Sequence, residues 1–174
     1  MKIRKALISD IKPIHKLIKF YADRDLMLPR PLNMLYENIR DFFICEDSTD
    51  HSEAIASEYK YELIGVSALH VMWEDLGEIK SLAVRADKQR KGIGAALVNS
   101  CINEAKQIGL KRVFALTYVP DFFLTLGFEK IDKQALPQKT WGDCINCSKF
   151  PECDEQAVIL DLDHKSQAKD NITT

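Results

Sequence analysis

The chain lacks any long hydrophobic run and any excess of charge of one sign. No stretch approaches the roughly 18 apolar residues of a membrane-spanning helix, and no apolar segment of signal-peptide length follows Met1 to Arg4. Twenty-four Lys and Arg face 26 Asp and Glu, which leaves a formal net charge of -2. This balance gives no reason to expect a polyanionic partner such as nucleic acid. We therefore expect a cytoplasmic protein that acts on a small molecule.

Cysteine is scarce, and its number is odd. Five cysteines in a reducing compartment argue against a disulfide framework. Cys144, Cys147 and Cys153 have the close spacing of thiolate metal ligands, but a closed zinc site normally needs a fourth ligand. Cys45, Asp154 or a histidine could supply it if the fold brings one of them near. We favour reduced thiols over bound metal in this segment.

Hydrophobic periodicity predicts strands that alternate with helices. The predicted strands are Met1 to Leu7, Phe42 to Glu46, Leu63 to Met72, Gly77 to Val84, Arg112 to Leu116, a strand after Gly127-Phe128, and Val158 to Leu162. Predicted helices begin after a Ser9-Asp10 cap, at Pro31, at Ile93 and at Pro120. The third carries apolar residues every three or four positions from Ile93 as far as Ile108, and Gly109 ends it. The pattern predicts an α/β fold with a mixed sheet.

The length predicts a single domain, because 174 residues can bury one substantial core. We place this domain at residues 1–163 and include in it a cysteine-containing excursion at 141–154. Residues 164–174 are polar and are predicted to form a disordered tail.

A loop with two glycines lies between the predicted strand that ends at Val84 and the predicted helix at Ile93. The sequence Gln89-Arg90-Lys91-Gly92-Ile93-Gly94 places both glycines where unpaired amides and the helix dipole converge. Such a point can bind a phosphate. Two glycines alone are weak evidence, since the same residues suit an ordinary helix start. The loop lacks the third glycine of a dinucleotide fingerprint and the Gly-Lys-Ser/Thr ending of a nucleotide-triphosphate loop.

Three segments together resemble the GNAT family of acetyltransferases: Gly77 to Val84, Gln89 to Leu97 and Phe122 to Phe128. The resemblance covers most of the chain. It implies the GNAT acyl-CoA N-acyltransferase fold, with a mixed, mostly antiparallel sheet splayed between strands 4 and 5 and helices on both faces. It also implies acetyl-CoA as the cosubstrate and direct acetyl transfer in a ternary complex.

By this resemblance, the CoA pyrophosphate is expected on the loop and the pantetheine arm on the strand before it. The loop residues are Gln89, Arg90, Lys91, Gly92, Ile93, Gly94 and Ala95, and the strand residues are Leu82, Ala83 and Val84. The backbone of the strand, rather than its side chains, would pair with the pantetheine arm. Amides near Val84 would polarise the thioester carbonyl.

Three segments look like the acetyltransferase domain of N-acetylglutamate synthase, especially its short single-domain bacterial forms: Asp25 to Arg30, Gly77 to Val84 and Leu136 to Trp141. This resemblance implies acetylation of the α-amino group of L-glutamate, the first step of arginine biosynthesis. Longer forms carry an arginine-binding amino-acid-kinase domain, for which this chain is too short. Built-in arginine feedback is therefore not expected. The oligomeric state is a separate question, and a homodimer is one possibility.

The two carboxylates of glutamate require fixed cations. Arg30 follows the helix break where the family places a substrate-binding arginine, and it is our first candidate. Arg24, Lys80 and Lys139 are secondary candidates. The alternative for each of them is a solvated surface charge.

An ammonium group must lose a proton before it attacks a thioester, so a base is needed. Strand alternation places Glu78, Lys80, Leu82 and Val84 on one face, and the family counterpart of Glu78 is a general base. The alternative is a structural carboxylate that pairs with Lys80.

Release of the CoA thiolate can use a hydroxyl as its acid. Many GNAT enzymes have a tyrosine where this sequence has Phe123, which cannot donate a proton. The synthase-like branch uses a hydroxyl at the end of the preceding strand. That position corresponds to Thr117, with Tyr118 as its neighbour. Release without a dedicated acid is the alternative.

Two further hypotheses stay open at the level of sequence. The first is a GNAT enzyme for another amine, such as another amino acid, a polyamine or a protein N-terminus. A polyamine pocket would be acidic, whereas a glutamate pocket must be cationic. The second is a non-catalytic acyl-CoA-binding module, or a thiol or metal sensor, and the presence of Glu78 argues against it.

Overall fold

The computed structural model describes residues 1–47, 61–137 and 154–163. Its strands are β1 (Lys2–Lys5), β2 (Phe42–Asp47), β3 (Glu62–Val71), β4 (Leu76–Val84), β5 (Arg112–Thr117), β6 (Glu129–Ile131) and β7 (Gln156–Asp161). Its α-helices are α1 (Ile11–Ala22), α2 (Leu32–Glu37), α3 (Ile93–Gln107) and α4 (Pro120–Leu124). Within these ranges, none of the helices combines the length and the apolar character that a bilayer span requires.

The strands follow one another in the order β1-β2-β3-β4-β5-β7-β6. Pairing is antiparallel for β1 with β2, β2 with β3, β5 with β7, and β6 with β7, and it is parallel for β4 with β5. The recorded parallel ladder runs from Leu76↔Arg112 to Glu78↔Phe114, although β4 continues to Val84. The predicted mixed, mostly antiparallel sheet with a splay between strands 4 and 5 is confirmed.

Contacts divide the chain into two compact units, each described here by itself. The first comprises Met1–Leu69 and Ile79–Cys101, and the second comprises His70–Glu78 and Ile102–Thr174. The single domain over residues 1–163 stays a prediction. The predicted tail at 164–174 lies outside the described residues, as does the cysteine-containing excursion except for Asp154.

The first unit packs a helix on each face of its strands. On one face, α1 buries Ile11, Ile14, Leu17 and Ile18 at the spacing of an amphipathic helix. These side chains join a cluster that includes Ile44. On the other face, residues from the start of α3 pack with Ile64 and Cys45. Successive strand residues point to opposite faces, which is why Ile44 and Cys45 belong to different clusters.

Gly65 of β3 brings α3 close to the strands of the first unit. A Cβ at this position would lie 2.9 Å from Leu97 Cδ1 and 3.1 Å from Ile93 Cγ2. Both neighbours are buried. We expect Gly65→Val to lower the free energy of unfolding by about 1–3 kcal/mol, because the branched side chain overfills a packed core. Urea unfolding followed by circular dichroism measures the change, and an unaltered midpoint would contradict the close packing.

The second unit has its own core. Phe114 of β5 is fully buried and packs with Leu76, Leu136 and Ala157. Pro120 stands in the first turn of α4, where its fixed φ suits a helix start.

The C-terminal end of α4 turns back sharply towards β6. Gly127 supplies the positive φ of 88° that this turn needs. Phe123 and Phe128 then meet edge to face, with ring centroids 5.2 Å apart. The predicted short helix and sharp return are therefore present.

Two local predictions need correction. Ile108 was placed on the apolar face of the third predicted helix, but α3 ends at Gln107 and Ile108 is 54% exposed. The N–H of Ile108 still donates to Glu104 O at 2.9 Å, and the chain turns at Gly109, whose φ is 85°. The helix α1 begins directly after Asp10, as predicted, but the Asp10 side chain makes no capping bond to that helix. Its carboxylate instead accepts from Arg4 Nη1 at 2.6 Å and from Leu7 N–H at 2.7 Å.

Candidate active site

The loop between β4 and α3 turns sharply. Arg90 and Gly92 have φ angles of 58° and 78°, in the left-handed region that favours glycine. A Cβ on Gly92 would meet nothing within 4 Å, so backbone conformation rather than crowding explains this glycine. Residues Gln89, Arg90, Lys91 and Gly92 are exposed.

The loop presents amides at the start of α3. Ala96 N–H donates to Gly92 O at 3.0 Å, which is the bond expected of the fourth residue of the helix. The three amides before it, from Ile93 to Ala95, have no acceptor within a helix. They lie at the positive end of the dipole of a 15-residue helix. This arrangement fits an anion such as a pyrophosphate.

Tyr21 of α1 fixes the entrance to this loop. Its hydroxyl donates to Val84 O at 2.5 Å and accepts from Gln89 Nε2 at 2.9 Å. Gln89 Nε2 also lies 3.3 Å from Val84 O. The Gln89 side chain is thus held against α1 and β4. Tyr21 was not among the predicted site residues, and a phenol among the aliphatic residues of the first predicted helix was the signal that could have identified it.

Burial alternates along β4. Gly77, Ile79, Ser81 and Ala83 are buried, whereas Glu78, Lys80, Leu82 and Val84 are half-buried. Strand periodicity therefore groups the predicted base Glu78 with Leu82 and Val84, and leaves Ala83 on the opposite, buried face. Ser81 has a φ of 55°, which is a strained conformation for a residue with a Cβ. The side chains of Leu82 and Val84 contribute to the cluster of Ile93 and Leu97.

Residues predicted to act on the thiolate lie in the second unit. Thr117 ends β5, is 7% exposed, and accepts a hydrogen bond from Val119 N–H at 3.0 Å through Oγ1. A hydroxyl that accepts one bond still has a proton to donate. Tyr118 is half-buried. Phe123 is 3% exposed, so the ring that replaces the usual family tyrosine is a core side chain.

The predicted substrate cations have different environments. Arg24 Nη1 donates to Phe20 O at 2.6 Å, and its guanidinium lies 3.7 Å from the Phe20 ring centroid. These contacts hold Arg24, which follows α1, against Phe20 of that helix and favour the surface-charge alternative. Arg30 is half-buried just before Pro31, the residue that precedes α2. Lys80 is half-buried on β4. Lys139 lies outside the described residues.

Two cysteines, Cys45 and Cys101, are described, and both are buried core residues. Cys45 packs with Ile64, Ile93 and Leu97, and burial raises the pKa of its thiol. Cys101 Sγ lies 3.6 Å from Ser67 Oγ. Over residues 1–47, 61–137 and 154–163, no group of three or more His, Cys, Asp and Glu side chains is placed to hold a metal ion. The candidate ligands Cys144, Cys147 and Cys153 lie outside those ranges.

A family model decides the assignment. The acetyltransferase (GNAT) family model matches residues 15–128, which include β4, the loop and α3. The chain belongs to the GNAT family of acetyltransferases. This membership confirms the predicted fold and the predicted class of N-acetyltransferase.

Curated relatives of this GNAT chain include two bacterial proteins. An uncharacterised N-acetyltransferase of Chlorobaculum tepidum is 36% identical over 160 residues, which cover 92% of this chain and 96% of the relative. An amino-acid acetyltransferase of Mycobacterium tuberculosis is 35% identical over 130 residues, which cover 75% and 69% of the two chains.

Solved structures give the same family. N-acetylglutamate synthase of Neisseria gonorrhoeae, complexed with coenzyme A and N-acetyl-glutamate, aligns with a TM-score of 0.77 and 29% identity over 92% of this chain. The alignment covers only 35% of that longer enzyme. A Mycobacterium tuberculosis protein in complex with CoA aligns with a TM-score of 0.72 and 26% identity, over 92% and 99% of the two chains. CoA in both structures agrees with the predicted cosubstrate.

For this GNAT enzyme, we expect Tyr21→Phe to raise the KM for acetyl-CoA about fivefold with little change in kcat. Loss of the hydroxyl removes a support of Gln89, and one hydrogen bond contributes roughly 1 kcal/mol. Steady-state kinetics with varied acetyl-CoA measures the effect. Tyr36→Phe removes an exposed hydroxyl on α2 and is the matched control. Equal KM values for the two variants would contradict a role for Tyr21 at the loop.

Proposed function

We propose that this GNAT enzyme transfers the acetyl group of acetyl-CoA to the α-amino group of L-glutamate. The products are N-acetyl-L-glutamate and CoA, and the reaction is the first step of arginine biosynthesis. The observation that carries the proposal is the similarity, across 92% of the chain, to a structure that holds coenzyme A and N-acetyl-glutamate. The half-buried Arg30 between α1 and α2 adds a cation of the kind that a dicarboxylate requires.

In the proposed complex, the CoA pyrophosphate lies on the amides from Arg90 to Ala95, with Gln89 and Lys91 beside it. Two observations support this placement. The space around Gly92 is open, and the amides of the first turn of α3 have no acceptor within the helix. The pantetheine arm then runs along the backbone of Leu82, Ala83 and Val84. Because Val84 O is bonded to Tyr21, amides rather than this carbonyl would face the thioester.

Glu78 is proposed as the general base. It accepts a proton from the glutamate ammonium group, directly or through one water, so that the nitrogen lone pair can attack the thioester carbonyl carbon. The C–N bond forms, and the carbonyl oxygen becomes an oxyanion that amides near Val84 stabilise. Collapse of this intermediate breaks the C–S bond. The thiolate then takes a proton from Thr117, from Tyr118 or from water, and the second proton that the nitrogen loses as the amide forms replaces it on that donor.

Arg30 is proposed to bind a substrate carboxylate with two parallel N–H···O bonds. Lys80 shares the half-buried face of β4 with the proposed base and is a second candidate. Arg24 and Lys139 remain weaker proposals, since Arg24 already contacts Phe20 and Lys139 is not described.

The substrate assignment is tested by an amine screen that measures free CoA chromatographically. We expect L-glutamate to give the highest kcat/KM, and L-aspartate, L-glutamine and spermidine to be far poorer acceptors. A polyamine preference would overturn the glutamate proposal and leave the family unchanged. Absence of turnover with every amine, despite bound acetyl-CoA, would favour the non-catalytic acyl-CoA-binding module.

A GNAT enzyme for another amino acid is the second candidate. The observation in its favour is that the Mycobacterium tuberculosis relative has the general name amino-acid acetyltransferase. In that case the screen would show a neutral amino acid as the preferred acceptor.

A further inference from the structure

A cavity of about 640 Å³ lies beside α1 in the first unit. Six of its lining residues matter for its chemistry: Lys12, Lys16, Phe20, Tyr61, Leu63 and Arg85. No residue of the loop from Gln89 to Ala95 lines it. Its volume falls in the range of roughly 300–1,000 Å³ that is usual for small-molecule sites.

One wall of the cavity is held by a buried ionic network. The Tyr61 hydroxyl donates to Asp10, whose carboxylate is fully buried. Arg4 Nη1 donates to the same carboxylate at 2.6 Å, and the Arg4 guanidinium lies 5.0 Å from the centroid of the Tyr61 ring. The Tyr61 ring is therefore fixed on two sides, so an occupant would meet an ordered aromatic surface.

The charges around the cavity do not cancel. Arg85 pairs with both Glu62 and Asp87, the two acidic side chains of the lining. Lys12 and Lys16 have no recorded ion pair or hydrogen bond in the described structure. They stand one turn apart on α1, and like charges at that spacing destabilise a helix. The lining therefore carries three cations and two carboxylates, one net positive charge, and its two lysines have no ion pair among the described residues.

The remaining lining is apolar. Phe20 follows Lys16 by one more turn of α1 and is 40% exposed, an unusual position for a phenylalanine. Leu63 is half-buried at the start of β3. The cavity thus combines cations with a hydrophobic and aromatic surface, the combination that binds amphiphilic anions.

From this combination we infer a second ligand site, which binds a small anion that carries an aromatic or branched apolar group. The anionic group contacts Lys12 and Lys16. The apolar group packs on Phe20, Tyr61 and Leu63. The proposed acetyl transfer makes no use of these five side chains.

An occupant of this site would also contact residues that adjoin the proposed CoA loop and its support Tyr21 in the chain. Arg85 and Asp87 stand immediately before the loop in the chain, and Phe20 precedes Tyr21, which binds Val84 and Gln89. We expect occupancy to change the KM for acetyl-CoA. This regulatory step rests on the proposed function, whereas the binding step does not.

Fluorescence titration of the full chain with anilinonaphthalene sulfonate tests the binding step, with saturating CoA present to fill the loop. N-phenyl-naphthylamine, which has the same rings without the sulfonate, is the matched neutral probe. We expect the sulfonate to bind at one saturable site, and added salt to weaken its binding. The double variant K12Q/K16Q should weaken sulfonate binding roughly five- to tenfold, because the sulfonate loses its partly exposed ion pairs with the two lysines. Its binding of the neutral probe should not change.

Lys19→Gln is the control on the same helix, since Lys19 pairs with Asp23 and does not line the cavity. K12E/K16E, checked for native circular dichroism, should abolish saturable sulfonate binding. The inference is overturned if sulfonate binding is not saturable, if both double variants bind it like the wild type, or if the neutral probe binds as tightly. If the probe binds as expected but the KM for acetyl-CoA stays constant, the site exists and its regulatory step is wrong.

Discussion

Glu78→Gln should lower kcat for glutamate acetylation by roughly two to four orders of magnitude, the usual contribution of a general base. The amide has nearly the same shape as the carboxylate but cannot accept the proton of the ammonium group. The KM for acetyl-CoA should change little, because Glu78 is not proposed to contact the pyrophosphate. Free CoA measured over time, with each substrate varied in turn, separates the two effects.

The remaining activity of Glu78→Gln should rise with pH, because solution then removes the proton that the enzyme no longer removes. Glu74→Gln changes an exposed carboxylate in the turn between β3 and β4 and is the matched control. A Glu78→Gln enzyme with a wild-type rate would assign Glu78 to the structural alternative considered from the sequence.

Arg30→Ala should raise the KM for L-glutamate by about 30- to 150-fold, with a smaller effect on the KM for acetyl-CoA. A bidentate arginine–carboxylate contact contributes roughly 2–3 kcal/mol, which corresponds to that factor. Arg30→Lys keeps the charge but not the paired geometry, so an intermediate KM is expected. Arg40→Ala, on an exposed 3-10 turn, is the control.

Comparison of L-glutamate with L-glutamine shows which carboxylate Arg30 binds. If Arg30 binds the side-chain carboxylate, Arg30→Ala should abolish the preference for glutamate. If it binds the α-carboxylate, both acceptors should lose affinity equally. An unchanged KM for both acceptors would remove Arg30 from the substrate site.

Local pattern was sufficient for most of the fold. The Ser9-Asp10 pair and the hydrophobic periodicity after it predicted α1, and its residues Ile11, Ile14, Leu17 and Ile18 are buried. The resemblance to the GNAT family supplied the splay between strands 4 and 5, which periodicity alone could not give. Ile108 was misplaced because an apolar residue three positions after Ala105 fits helical spacing in the sequence, although its side chain is exposed at the end of the helix.

Features that depend on distant residues were not predictable in the same way. Asp10 looked like a helix cap, but contacts with Arg4 and Tyr61 determine its role. Tyr21 binds Val84, 63 residues away in sequence, and no local pattern encodes that contact. The cavity beside α1 likewise forms from three separated segments. The loop from Gln89 to Ala95 was predictable because its residues are contiguous.

The central claim is tested most directly by incubating the purified chain with acetyl-CoA and isotope-labelled L-glutamate and identifying the product by mass spectrometry. The proposal predicts labelled N-acetyl-L-glutamate and free CoA in equal amounts, with a yield from Glu78→Gln that is lower by roughly two to four orders of magnitude over the same time. Release of CoA without labelled product, or acetylation of a different amine in preference to glutamate, would contradict it.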